Sequence, residues 1–146
     1  MRKIWDIHGG VHPPENKHQS VGQAIATISL PKELIIPLNQ HIGAPAQAVV
    51  KMGDKVLKGQ VIGKAQGVFS ANVHASSSGE VIAIEDRVVA HPSGLTAPCV
   101  VIATDGKDQW CELTSCENYD QLDHFQLVER IQNAGLAGMG GAGFPT

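Results

Sequence analysis

The sequence has few aromatic residues and few cysteines, and each scarcity excludes a class of protein. Six of the 146 residues are Phe, Tyr or Trp, so valine, isoleucine, leucine and alanine must fill any core. The three cysteines, Cys99, Cys111 and Cys116, form no Cys-x-x-Cys pair, which argues against an iron–sulfur or structural zinc site in this sequence. Reduced, structural thiols are expected, although the odd number is also compatible with one disulfide and one free thiol.

The sequence also lacks the features of membrane-spanning, secreted and nucleic-acid-binding chains. No apolar run reaches about 18 residues, the length that a transmembrane helix needs. Met1-Arg2-Lys3 is followed by Ile4-Trp5-Asp6-Ile7-His8 rather than by the apolar core of a signal peptide. The net charge is −3, with both signs interspersed, and provides no basic surface for nucleic acid. We therefore expect no nucleic-acid partner and no transmembrane segment.

Residues 1–24 are rich in turn-forming residues and are predicted to form an extended N-terminal arm. Pro13-Pro14 favours polyproline geometry, and the run from Glu15 to Ser20 is polar. The arm contains three histidines without a supporting carboxylate pattern, namely His8, His12 and His18. We therefore interpret the arm as peripheral and metal-free.

Residues 25–105 consist of short apolar runs punctuated by glycine or proline, a pattern typical of many short β-strands. The runs are residues 25–30, 34–38, 48–50, 56–57, 61–62, 81–84, 88–89 and 99–103. Gly53-Asp54 and Ser78-Gly79 have the chemistry of tight turns. The pattern predicts a mainly β domain, a sandwich or barrel, with little room for helix before residue 118.

The region 106–146 contains the helical pattern of the chain. Apolar residues recur there every three positions, at Leu122, Phe125, Val128 and Ile131. Asn118 or Asp120 is placed to cap the start, and Gly135 lies where a C′ glycine belongs. We predict a helix here, and we expect it to fray because its apolar stripe lacks a packing partner.

A glycine-rich segment follows the predicted helix, with five glycines between Gly135 and Gly143. Such a run lets backbone N–H groups approach a phosphate or a flat ring. The alternative is a flexible linker, but linkers of that kind are rich in serine, and this segment interleaves Leu, Ala, Met and Phe. Gly138-x-Gly140-x-x-Gly143 fits the dinucleotide fingerprint by letter, yet a helix rather than a strand precedes it. We predict a cofactor-binding loop at the start of an incomplete domain, not a Rossmann site.

Residues 50–63 and 73–84 resemble the two halves of biotinyl and lipoyl domains. In that fold a Gly-Asp turn precedes a strand, a second glycine follows, and the two halves wrap into a barrel-sandwich hybrid. A carrier of this kind needs a lysine at the tip of the hairpin between the halves, which falls near Val68. Residues 65–72 contain no lysine, and Lys64 lies too early. The resemblance therefore implies the carrier's fold without the modified lysine that forms its swinging arm. Two positions are possible for Phe69: it forms an apolar contact surface at the hairpin tip, or it packs into its own barrel.

The segment from Gly138 to Thr146 closely resembles the flavin-site loop of the NADH-binding flavoprotein subunit of respiratory complex I. Together with the arm motif from Gly9 to Lys17, the segment from Gln40 to Pro45 and the barrel, it gives a resemblance that covers essentially the whole chain. The chain resembles the RnfC family, whose members are subunits of the Rnf electron-transport complex. This implies an N-terminal arm (1–24), a barrel-sandwich hybrid domain (25–105), and a linker, helix and glycine-rich start of a truncated flavoprotein domain (106–146).

The resemblance implies an enzyme component. The full-length subunit would exchange electrons with NADH through FMN and two [4Fe-4S] clusters, on the cytoplasmic side of the bacterial inner membrane. Its partners would be NADH and the other Rnf subunits, which would provide its membrane association. Five residues would contact the cofactor through their backbones: Gly138, Gly140, Gly141, Ala142 and Gly143. No catalytic residue and no metal ligand is assigned here, and residues 1–146 alone are expected to hold no cofactor and to be inactive.

A non-catalytic module is the alternative. Residues 25–105 would then form a self-contained interaction or scaffold domain, and the terminal glycines would be a disordered stub. The histidines of this region, His41, His74 and His91, are interpreted as local hydrogen-bond donors or surface residues and not as acid–base catalysts. Flavin uptake by the longer protein distinguishes the two hypotheses.

Overall fold

The computed structural model describes residues 9, 13–91, 93–140 and 142–146. Within these residues the chain forms seven strands, one α-helix and two short 3-10 helices. The strands are β1 (Glu33–Pro37), β2 (Gln47–Ala48), β3 (Lys55–Val56), β4 (Val61–Lys64), β5 (Val73–His74), β6 (Gly79–Val88) and β7 (Thr96–Thr104). The α-helix α1 is His124–Asn133, and the 3-10 helices are Lys17–Gln19 and Tyr119–Gln121. The predicted mainly β architecture with a C-terminal helix is confirmed.

The strands form two antiparallel sheets, one in the order β1-β7-β6-β3 and the other in the order β2-β4-β5. The longest ladder joins β6 to β7, from the pair Gly79↔Thr104 to the pair Val88↔Thr96. The register of this ladder shifts between Val81 and Ala83, where a β-bulge adds local twist. Tight twist of this kind lets short strands curl around a small core.

The core is aliphatic. Its buried side chains come from both sheets and the loops between them, and each is at most 5% exposed: Ile36, Leu38, Ala46, Val56, Ile62, Val73, Ala75, Val81, Val100 and Ile102. Burying a Val, Leu or Ile side chain contributes about 1.5–3 kcal/mol, so this cluster is the main source of stability. Phe69, Trp110, Tyr119, Phe125 and Phe144 all lie at the surface. The expectation that aliphatic residues fill the core is confirmed.

Two strand predictions need correction, and one strand, β5, lies outside the predicted apolar runs. Residues 25–30 form no strand, and Ile25 and Ile28 are exposed, because the described residues give this apolar run no ladder partner. The run 81–84 and Val88 belong to one strand, β6, since the polar residues between them pair with β7, and Val89 lies just beyond its end. The two-residue strand β5 is too short to produce a periodic signal.

Helix α1 begins at His124, so the prediction of a cap at Asn118 or Asp120 is wrong. The N-cap is Asp123, whose Oδ1 accepts a hydrogen bond from the Gln126 N–H at 2.9 Å. In return, the Asp123 N–H donates to Gln126 Oε1 at 3.0 Å, which completes a capping box. The upstream candidates lie at the preceding 3-10 turn, too far from the first turn of α1 to reach its N–H groups.

We expect Asp123→Ala to destabilise α1 by about 1 kcal/mol, because the capping carboxylate is lost. Hydrogen exchange of the α1 amides should accelerate about fivefold, the equivalent of that free energy. Asp120→Ala is the matched control, since it also removes one surface carboxylate but leaves the capping box intact. Equal exchange rates in the two variants would contradict this assignment.

The C-terminal end of α1 agrees with the sequence. Gly135 has a φ of +67°, as expected of a C′ glycine, and its N–H donates to the Gln132 carbonyl at 3.0 Å. At the other end of the chain, residues 13–24 are exposed and include the 3-10 turn Lys17–Gln19. Residues 1–8 and 10–12 of the predicted arm lie outside the described residues, together with His8 and His12. In the part of the chain that the structure describes, no helix has the length and apolar character to cross a bilayer.

Candidate functional site

The glycine-rich segment, residues 135–146, folds back against the barrel, and the two border an open cavity of about 680 Å³. One wall is the loop after β1, residues 39–42, and a second wall is residues 71–73 at the start of β5. The segment supplies the remaining wall through Gly135, Ala137, Gly138, Met139, Ala142 and Gly143. Small-molecule sites commonly enclose about 300–1,000 Å³, so this cavity has the size of a ligand site.

Hydrogen bonds within the glycine-rich segment close it into a hairpin-like loop. The Gly138 N–H donates to the Phe144 carbonyl at 2.8 Å, and the Thr146 N–H donates to the Leu136 carbonyl at 2.9 Å. These bonds place residues 136–138 alongside residues 144–146. Of the residues that connect them, Met139, Ala142 and Gly143 line the cavity.

The structure places three of the five predicted cofactor-binding residues in the cavity wall: Gly138, Ala142 and Gly143. Gly140 does not line the cavity and faces open space, since a Cβ added there would meet no atom within 4 Å. Gly141 lies outside the described residues. Among the described residues, the N–H groups of Met139, Gly140 and Ala142 donate no hydrogen bond to another backbone group.

The loop after β1 and the hairpin tip, residues 65–72, both contact the glycine-rich segment. The Ile42 N–H donates to the Gly143 carbonyl at 3.0 Å. The rings of Phe69 and Phe144 meet edge to face, with centroids 5.5 Å apart and an interplanar angle of 73°. Phe69 is 55% exposed, so it is not packed into the barrel core, and its partner is the segment itself.

Asn72 fixes the junction between α1 and the barrel. Its Nδ2 donates to the Asn133 carbonyl at 3.2 Å, and its Oδ1 accepts from the Ala65 N–H at 2.9 Å. A Cβ added at Gly135 would overlap the Asn72 carbonyl oxygen. The end of α1 therefore lies so close to the hairpin tip that only glycine fits at residue 135.

The buried His41 links the loop after β1 to the hairpin tip. Its Nε2 accepts a hydrogen bond from the Ala71 N–H at 3.0 Å, and its Nδ1 lies 3.1 Å from the Ile42 carbonyl. Because a backbone N–H can only donate, this pattern assigns the ring proton to Nδ1. Both ring nitrogens are thus committed to backbone, and His41 shapes the wall rather than supplying a catalytic proton.

The titratable groups whose pKa is shifted do not line the cavity. Hydrogen bonds from Lys58 Nζ (2.6 Å) and Ser77 Oγ (2.8 Å) hold the pKa of Asp108 below its ordinary value. Burial lowers the pKa of His74. Neither side chain lines the cavity, and the hydrogen bonds of Asp108 serve structure rather than the candidate site.

No set of metal ligands appears in the described part of the chain, where no three His, Cys, Asp or Glu side chains group closely enough to hold an ion. His18 is exposed. The three cysteines are free thiols, with Cys99 buried and Cys111 and Cys116 partly exposed. Burial raises the pKa of Cys99, which disfavours the thiolate form.

Sequence reasoning missed the contribution of the barrel to the cavity. Asn39, Gln40, His41 and Asn72 line it beside the predicted glycines. The block from Gln40 to Pro45 is distinctive in the sequence, but only the tertiary structure brings it against residues 135–143. No local pattern signals such a long-range contact.

Comparison with known proteins identifies the family. The model of the RnfC barrel sandwich hybrid domain matches residues 5–107. The chain is 50% identical over 144 residues to the C subunit of the ion-translocating oxidoreductase complex of Vibrio cholerae, covering 99% of this chain and 19% of that protein. The corresponding proteins of Serratia proteamaculans (50% identity, 99% of this chain, 20% of that protein) and Klebsiella pneumoniae (49%, 99% and 19%) are similar to the same extent.

The chain thus spans about a fifth of the length of the curated relatives it matches. The match extends over the barrel, whose two sheets and aliphatic core the structure shows. The predicted barrel-sandwich hybrid fold and the resemblance to the RnfC family are both confirmed. The chain belongs to the family of RnfC barrel-sandwich hybrid domains.

Proposed function

We propose that this chain is the barrel and cofactor-loop part of a protein that exchanges electrons with NADH through FMN and [4Fe-4S] clusters. The protein would work within a membrane-associated, ion-translocating ferredoxin:NAD oxidoreductase. The name shared by the relatives describes the C subunit of an ion-translocating oxidoreductase complex, which supports an electron-transfer role beside other subunits. The observation that carries the proposal is the cavity between the glycine-rich segment and the barrel.

The residues around this cavity fit a flavin nucleotide. The N–H groups of Met139 and Ala142, two residues of the cavity wall, can donate to phosphate or carbonyl oxygens, as concave runs of backbone N–H groups do in anion sites. Gly138 and Gly143 leave room for a flat ring, while Ala137 and Met139 supply apolar surface. Bound FMN would accept hydride and release single electrons, and the role of this chain is to hold and orient it through backbone.

The cysteines of this chain do not fit a [4Fe-4S] cluster. Cys99, Cys111 and Cys116 are not grouped with one another in the described structure. A cluster of this type needs four thiolates around one site. We propose that the clusters belong to parts of the protein outside this sequence, and that the protein lies peripherally on the cytoplasmic side of the inner membrane.

A flavin titration tests the proposal. Residues 1–146 alone should show no tight FMN binding and no NADH oxidation, because they cover about a fifth of the relatives' length. A polypeptide with this sequence at its start and the full length of the relatives should quench FMN fluorescence at stoichiometric flavin. A folded full-length protein that takes up no FMN would overturn the proposal.

Gly138→Val in the full-length polypeptide should weaken FMN binding tenfold or more, about 1.4 kcal/mol, because a branched side chain replaces a hydrogen atom at a residue of the cavity wall. The variant should fold, since a Cβ at Gly138 comes no closer than 3.7 Å to its nearest neighbours, the backbone atoms of Phe144. Gly22→Val is the control, because a Cβ at this arm glycine meets nothing within 4 Å. Equal affinity of the two variants would count against a flavin in this cavity.

A scaffold role is the second candidate. The barrel has a complete core within residues 33–104, and the hairpin tip carries no lysine for modification. Such a domain could bind another subunit of the complex without holding any cofactor. A full-length protein that joins the complex but remains flavin-free would favour this role.

A further inference from the structure

Hydrogen bonds attach the hairpin tip to the barrel. This tip is the place where carriers of this fold bear their lysine. The Phe69 carbonyl accepts a hydrogen bond from the Ala44 N–H at 3.0 Å, and Ser70 Oγ donates to the Ala44 carbonyl at 2.8 Å. The Ala71 N–H donates to His41 Nε2 at 3.0 Å. Three consecutive tip residues are thus bonded to residues 41–44, so the tip backbone has little freedom to swing.

The ring of Phe69 projects from this fixed backbone toward the glycine-rich segment. It is 55% exposed and Phe144 is 57% exposed, so neither ring is committed to the barrel core. Their edge-to-face contact is a favourable aromatic geometry, worth about 0.5–1.5 kcal/mol beyond the buried area. Phe144 is itself bonded through its carbonyl to the Gly138 N–H, which lies in the cavity wall.

We propose that Phe69 is a positioning residue for the glycine-rich segment. Through Phe144 and Gly138, it fixes the position of the N–H groups of Met139 and Ala142 relative to the barrel wall of the cavity. The inference rests on the proposed function for its ligand, FMN, but Phe69 does not line the cavity and is not a catalytic residue. The tip that bears the lysine in carriers serves here as an internal anchor for a cofactor loop.

Hydrogen exchange of the 146-residue chain tests the anchor without any ligand. Phe69→Ala should accelerate exchange of the amides in residues 136–146 about fivefold, the equivalent of an aromatic pair worth about 1 kcal/mol. Exchange in β7 should stay unchanged, because Phe69 is no part of the core. Phe69→Tyr keeps the ring and should restore slow exchange, and Val68→Ala controls for loss of an exposed apolar group at the same tip.

The full-length polypeptide tests the consequence for the ligand. Phe69→Ala should raise the Kd for FMN about fivefold and change the visible circular dichroism of bound FMN, while Phe69→Tyr and Val68→Ala stay within about twofold of wild type. Unchanged segment exchange and unchanged FMN affinity in Phe69→Ala would overturn the inference. A wild-type protein that binds no FMN would overturn the proposed function instead, and the exchange experiment would then decide the anchoring role by itself.

Discussion

Gly79→Ala is expected to disrupt folding of the barrel. A Cβ at residue 79 would overlap the Ala103 carbonyl oxygen and lie 2.9 Å from Ile102 Cγ2. The obstructing oxygen belongs to the backbone of β7, so it cannot rotate away as a side chain could. Gly79 also pairs with Val56 of β3, so a displacement of β6 away from β7 would disturb the β3–β6 ladder as well.

We expect this substitution to lower the free energy of unfolding by about 3 kcal/mol or more, against a total of about 5–15 kcal/mol for a typical domain. Urea unfolding of the 146-residue chain, followed by circular dichroism, measures the loss. Gly22→Ala adds the same methyl group where nothing lies within 4 Å, and should leave the midpoint unchanged. If the urea midpoint of Gly79→Ala were close to that of Gly22→Ala, β6 and β7 could move apart without lowering the free energy of unfolding, which would contradict this prediction.

The barrel can be predicted from the sequence because its signals are local. Turn glycines such as Gly53 and Gly79 mark where strands begin, and aliphatic runs such as 99–103 supply the buried faces. The run 25–30 has the same local character but forms no strand, because pairing depends on a neighbour that hydrophobicity does not reveal. The start of α1 is ambiguous in the sequence since several polar residues could cap it, and the reciprocal bonds of Asp123 and Gln126 select among them.

Only one wall of the candidate site can be predicted from the sequence. Glycine composition points to residues 138–143, and the structure places Gly138, Ala142 and Gly143 in the cavity wall. The opposite wall depends on contacts between residues far apart in sequence, such as the hydrogen bond from Ile42 to Gly143. Spacing rules describe neighbours on one helix or strand, so they cannot find a wall assembled from the barrel and the C-terminal segment.

The second large effect is expected for Gly43→Ala, which should damage the cavity wall while leaving the β6–β7 ladder intact. Gly43 has a φ of +98°, and a Cβ there would overlap the Phe69 carbonyl oxygen and lie 2.8 Å from Phe69 Cβ. That carbonyl accepts the bond from the Ala44 N–H, so the methyl group would push the hairpin tip off residues 41–44. We expect a loss of about 2–4 kcal/mol in the free energy of unfolding.

Gly53→Ala separates backbone strain from this overlap. Gly53 has a φ of +91°, nearly that of Gly43, but a Cβ there meets nothing within 4 Å. It should therefore cost only the strain of a left-handed alanine, about 1–2 kcal/mol. In the full-length polypeptide, Gly43→Ala should also weaken FMN binding about tenfold or more, whereas Gly53→Ala should not. If both variants lose equal stability and bind FMN alike, the tip moves freely against residues 41–44, and the barrel cannot fix the position of the glycine-rich segment.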